Sequence, residues 1–116
     1  MSRLSTFLLS AAFAAALAGP AAAQSFDCAN AAKPDEKAIC GSRELANLDV
    51  KMATLYEVTT SLVAMGSRGA IQDDQRAFLE TRGACGADVA CLRSAYQSRI
   101  AALEDVVKRI AANGPY

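Results

Sequence analysis

Residues 43–65, RELANLDVKMATLYEVTTSLVAM, decide the fold. Leu45, Leu48, Met52, Leu55, Thr59 and Leu62 recur at steps of three and four. That spacing lines them along one side of a helix. It is the heptad-like stripe of a helix packed along a near-antiparallel neighbour. Ser42, just ahead, is a suitable N-cap, although Leu45 stands three positions on where a full capping box has Glu. Downstream, Gly66-Ser67-Arg68-Gly69 reads as a flexible turn that ends the helix near Met65.

The flanking segments repeat the pattern. A third segment, about Ala70 to Ala84, carries Ile71, Gln75, Phe78, Leu79 and Arg82 on its stripe, and Gly83 and Gly86 bracket Cys85 near its end. A fourth starts behind Asp88, a good N-cap, and runs to about Ala112. Its stripe is Leu92, Tyr96, Arg99, Leu103, Val106, Val107 and Ile110, and Glu104 with Lys108 forms a favourable i,i+4 pair. Asn113-Gly114-Pro115 is a stop signal. Upstream, Pro34 suits a first helical turn, Asp35 and Glu36 favour its positive end, and Gly41 suits its stop, giving a short helix over about Pro34 to Cys40. No segment shows strand-like alternation. The expected fold is all-α: a small antiparallel three-helix up-down bundle, with the short N-terminal helix laid against it.

Residues 1–23 have the parts of a secretory signal peptide: Arg3, an apolar run from Leu4 to Ala18, a Gly19-Pro20 break and the small-residue site Ala21-Ala22-Ala23. The run is shorter than the ~20 residues of a spanning helix. Cys28 follows Ser25-Phe26-Asp27, which does not suit lipoprotein processing. Residues 24–116 are then one exported helical domain, periplasmic or secreted, without membrane insertion after cleavage. Loss of Arg3 moves the formal charge from zero to −1, which offers no electrostatic case for nucleic acid.

The four cysteines all follow the leader: Cys28, Cys40, Cys85 and Cys91. Export places them in an oxidising compartment, and spacings of C-x11-C and C-x5-C differ from the C-x2-C of zinc and redox sites. Two structural disulfides are expected, and no metal or other cofactor. Four cysteines allow three pairings. Proximity favours Cys28–Cys40 with Cys85–Cys91, while loop entropy does not separate the choices.

The chain contains no histidine. The commonest general base and metal ligand is therefore absent, as is every Ser-His or Cys-His dyad, which argues against an enzyme. Adjacent Asp73 and Asp74 point apart on a helix and make no acid–base pair.

Arg82 and Arg99 fall on stripes that otherwise face a core. A buried guanidinium needs a partner, and Asp49, at the edge of the second segment's stripe, is the expected carboxylate for Arg82. Gln75, Tyr56 and Tyr96 can add hydrogen bonds along the same seam. This set reads as a register-fixing polar network rather than a reactive one. Arg68, at the tip of the expected turn, and the acidic pair Asp73 and Asp74 are the candidate contacts to a partner.

These residues resemble a known family. Phe26-Asp27-Cys28-Ala29, Pro34, Glu36, Ala38-Ile39-Cys40, Leu45, Leu48-Asp49, Tyr56, Gln75-Arg76-Ala77-Phe78, Arg82, Cys85, Cys91, Tyr96, Arg99 and Leu103 are similar to the N-terminal domain family of the lysozyme inhibitor LprI. The chain departs from it at Phe78, where the family usually has Trp, and at Gly83, where it usually has Asp. The segment between Cys85 and Cys91 is also short for the family. The resemblance implies an all-helical, disulfide-stapled envelope protein that binds a protein partner, with lysozyme the candidate. The alternative is an accessory envelope protein that binds another periplasmic protein through a helix face.

Overall fold

Ser42 caps the decisive helix as expected. Its hydroxyl accepts the Leu45 backbone N–H at 3.3 Å in the computed structural model, which describes residues 24–113. The expected signal peptide over residues 1–23 lies outside the described residues, as do Gly114 and Pro115 of the stop signal. Among the described residues, a 3₁₀ turn at Cys28–Asn30 is followed by α1 Pro34–Gly41, α2 Arg43–Leu62, α3 Met65–Ala84 and α4 Val89–Ala112. No strand occurs among the described residues.

The expected α2–α3 boundary was misplaced. Gly66-Ser67-Arg68-Gly69 is the first turn of α3, and the reversal is made by Val63 and Ala64, both with extended backbone. Neither glycine needs a left-handed conformation; among the described residues only Gly86 has positive φ, at 57°. Two things end α2 early. Thr59, Thr60 and Ser61 turn their hydroxyls back onto the carbonyls of Leu55, Tyr56 and Glu57, a local bonding pattern that favours helix ends. Arg68 then reaches back: its Nε donates to the Thr60 carbonyl at 2.7 Å and its Nη2 to the Val63 carbonyl at 3.5 Å. These bonds satisfy carbonyls that a helix end leaves without partners.

At the other reversal Gly86 supplies the left-handed residue, and the Asp88 carboxylate accepts the Cys91 N–H at 3.0 Å to start α4. α3 runs antiparallel to both long neighbours. α2 and α4 lie parallel in the most extensive pairing of the fold, joined on the surface by Glu44 with Arg93 and by Lys51 with Glu104 at 2.6 Å. The expected Glu104–Lys108 pair is not made, because Glu104 faces α2 while Lys108 turns to Asp105.

The core holds Ile39, Leu45, Met52, Ile71, Phe78, Leu92, Tyr96, Ile100 and Leu103. Phe78 and Tyr96 meet edge to face, with ring centroids 5.3 Å apart, a geometry favoured by the ring quadrupoles. Leu79, expected on the stripe, is 43% exposed. The neighbouring stripe position, Phe78, fills the core in its place. α1 packs on α2 and α3 through Ile39. The cysteines pair locally, Cys28 with Cys40 and Cys85 with Cys91. The first bond ties the 3₁₀ turn to the end of α1, and the second ties the end of α3 to the first turn of α4. Loops this short contribute about 2–3 kcal/mol each on chain-entropy grounds.

Candidate functional site

Among the described residues, the polar or charged side chains Asp35, Asp49, Thr59, Gln75, Arg82 and Arg99 are buried. No buried side-chain nitrogen or oxygen among the described residues lacks a partner. Of the expected network, Asp49, Gln75, Arg82, Tyr96 and Arg99 are buried and bonded while Tyr56 is not, and the groups fall into two separate centres.

The first centre lies at the disulfide end of the bundle. Arg82 donates through Nε to the Asp35 carboxylate at 2.8 Å, and both side chains are less than one-tenth exposed. Asp49, the expected partner of Arg82, is turned elsewhere. Its carboxylate accepts the Ser25 backbone N–H at 2.6 Å, the Ser25 hydroxyl at 2.8 Å and the Tyr96 hydroxyl at 2.8 Å. Asp49 thus pins the segment entering the domain, and Tyr96 links it to Arg82. The Arg82 guanidinium also lies 5.3 Å from the centre of the Phe26 ring. Burial works against the Arg82 charge, but Tyr96 and Asp35 outweigh it and hold its pKa above the usual value. Burial and the neighbouring Asp49 charge push the Tyr96 hydroxyl well above the ordinary tyrosine range.

Asp35 and Ser25 escaped the sequence reading. A signal for Asp35 was present: it stands four residues before Ile39, so both share the face that α1 buries. Ser25 has no comparable signal, because it belongs to no helix.

The second centre lies toward the α2–α3 reversal. Arg99 donates through Nε to the Gln75 side-chain oxygen at 2.9 Å and through Nη2 to the Ile71 carbonyl at 3.0 Å. Gln75 in turn directs its amide to the Met52 sulfur at 3.2 Å. Burial lowers the Arg99 pKa, with Asp74 and Tyr56 offsetting only part of the effect. Tyr56 is half-buried and, among the described residues, its hydroxyl makes no hydrogen bond; its link to the network is electrostatic.

Beside Arg99 opens a groove of about 730 Å³ between the end of α2, the first half of α3 and the second half of α4. Leu62, Ile71, Leu103 and Val106 form its apolar walls, and Asp74 and Arg109 also line it.

The expected partner contacts fare unequally. Asp73 and Asp74 are exposed on α3, with Asp73 paired to Arg76 one turn on. Arg68 is withdrawn from that role, because its guanidinium is spent on the α2 carbonyls. Among the described residues no group of three His, Cys, Asp or Glu is placed to hold a metal ion, and no helix is long and apolar enough to cross a membrane.

An alignment of 87 residues, 72% of this chain, is 31% identical to the protein named lipoprotein LprI in Mycobacterium tuberculosis, and to its namesake in Mycobacterium bovis. The chain is similar to lipoprotein LprI. It spans 43% of the length of these LprI relatives. No family model and no solved structure matches the chain. The LprI-like relationship is thus distant and partial.

Proposed function

We propose that this protein is an exported, non-enzymatic binding protein of the LprI type that inhibits lysozyme-class muramidases in the periplasm or outside the cell. The observation that carries the reading is the similarity to lipoprotein LprI, taken with the lysozyme-inhibitor family that the sequence resembles. The architecture is consistent with it. Two disulfides and a hydrogen-bonded polar interior make a pre-organised body, which lowers the ordering cost of binding. The exposed carboxylates Asp73 and Asp74 offer a basic enzyme a complementary face. The test is muramidase activity in the presence of the oxidised protein, over several lysozyme types. The reading expects saturable inhibition of at least one type, weakened when Asp73 and Asp74 are both replaced by Asn. Absence of inhibition and of binding at micromolar concentration across the series would refute it.

A second reading is favoured by a specific surface. Leu62 and Met65 flank the α2–α3 reversal at 48% and 84% exposure, an apolar pair of the kind that anchors contacts to another protein. An accessory role toward a different envelope protein predicts co-purification of a partner that is not a muramidase, lost on changing Met65 to Ser.

A further inference from the structure

The two buried arginines differ in one decisive respect. Arg82 has a carboxylate at 2.8 Å, whereas Arg99, equally buried at 7% exposure, is bonded among the described residues to the neutral oxygens of Gln75 and Ile71. Among the described residues no carboxylate lies within ion-pair distance of Arg99, and its Nη1 donates to no protein group. A buried cation without a counter-charge is costly, and the groove beside it is the way for one to arrive. The groove has the size of a small-molecule site, with apolar walls and four charged groups, Asp74, Arg99, Asp105 and Arg109, around them. Asp74 on its wall stabilises Arg99 electrostatically, yet burial still prevails and the guanidinium remains under-compensated.

We infer that this groove binds a small amphipathic carboxylate, with its apolar body against Leu62, Ile71, Leu103 and Val106 and its carboxylate on Arg99. The Arg99 Nε and Nη2 donors are already fixed by Gln75 and Ile71, so the plane of the guanidinium is held before the ligand enters. Nη1 supplies the charge-assisted bond. The site does not depend on the muramidase reading, since it uses none of the residues assigned there except Asp74 at its edge.

The probes are octanoate and octan-1-ol, which share a chain and differ in the charged head, titrated into the oxidised protein below micelle-forming concentration. Binding is followed by amide chemical shifts. Octanoate is expected to bind one to one, moving signals of the α3 and α4 residues that line the groove, and to bind about tenfold or more tighter than the alcohol. Arg99→Gln should abolish that preference. Because Arg99→Gln also alters buried bonds, Ala70→Trp provides an independent arm: Ala70 is exposed on the groove wall, so the indole fills the space and leaves Arg99 in place. It should block octanoate with the thermal midpoint unchanged. Equal binding of acid and alcohol, binding undisturbed by Ala70→Trp, or no binding at millimolar octanoate would overturn the inference.

Discussion

Arg82 and Arg99 sit on neighbouring helices at nearly equal burial, and they teach opposite lessons. Around Arg82 the fold has closed every account of charge: Asp35 from α1 neutralises it, Tyr96 joins it to Asp49, and Phe26 covers it. That end is also where the Cys28–Cys40 bond ties down the incoming chain. Around Arg99 there are hydrogen bonds but, among the described residues, no carboxylate in ion-pair contact, and the helices part to leave a groove. A compensated buried charge holds elements in register. An uncompensated one beside open space is a place for something to bind. The difference lies in the partner, not in the arginine or its depth.

Several substitutions break or sharpen that contrast. The largest effect is expected from Asp35→Ala, which strands the Arg82 guanidinium; losing one member of a buried pair typically costs about 3–5 kcal/mol. Urea unfolding measures it, and a cost under about 1 kcal/mol would mean that water already compensates Arg82. Replacing Cys28 and Cys40 together by Ser comes next, at about 2–3 kcal/mol, because it frees the segment that Asp49 and Arg82 hold. The same experiment shows whether Ser25 stays docked: protection of its amide from hydrogen exchange should fall in the cysteine variant. Arg68→Ala is expected to cost about 1 kcal/mol through the uncapped α2 carbonyls, without loosening either charge centre.

Tyr96→Phe serves as a pH probe. The folded Tyr96 hydroxyl titrates above its ordinary value of 10.0, so folding retains a proton that the unfolded chain gives up. The associated stability is present below about pH 10 and is lost as pH rises beyond it. The thermal midpoint of the parent protein should therefore fall more steeply above pH 10 than that of Tyr96→Phe. Parallel declines would show that Tyr96 is not held protonated by the fold.

Much of this organisation is legible in the sequence, for identifiable reasons. The stripes of α2, α3 and α4 are periodic, so the helices and most of the core follow from spacing, and the Ser42 and Asp88 caps follow from side-chain chemistry. The α2–α3 boundary did not follow. Two glycines imitate a turn, while the actual stop depends on Arg68 reaching across the reversal, a tertiary contact invisible to local pattern. The buried arginines were identifiable because charges on an apolar stripe demand explanation. Their pairing was not, because Asp35 lies on a short helix whose docking angle no periodicity specifies. The groove depends on how far the ends of three helices diverge, and only the assembled packing determines that.

The most direct test of the contrast is the stability of Arg82→Met against that of Arg99→Met, measured by urea unfolding under identical oxidising conditions. Arg82→Met abandons a buried carboxylate and should cost about 3–5 kcal/mol. Arg99→Met abandons two neutral acceptors beside a solvent-accessible groove and should cost only about 1–2 kcal/mol. Equal costs, or a larger cost at Arg99, would contradict the claim that one centre is charge-compensated and the other is not.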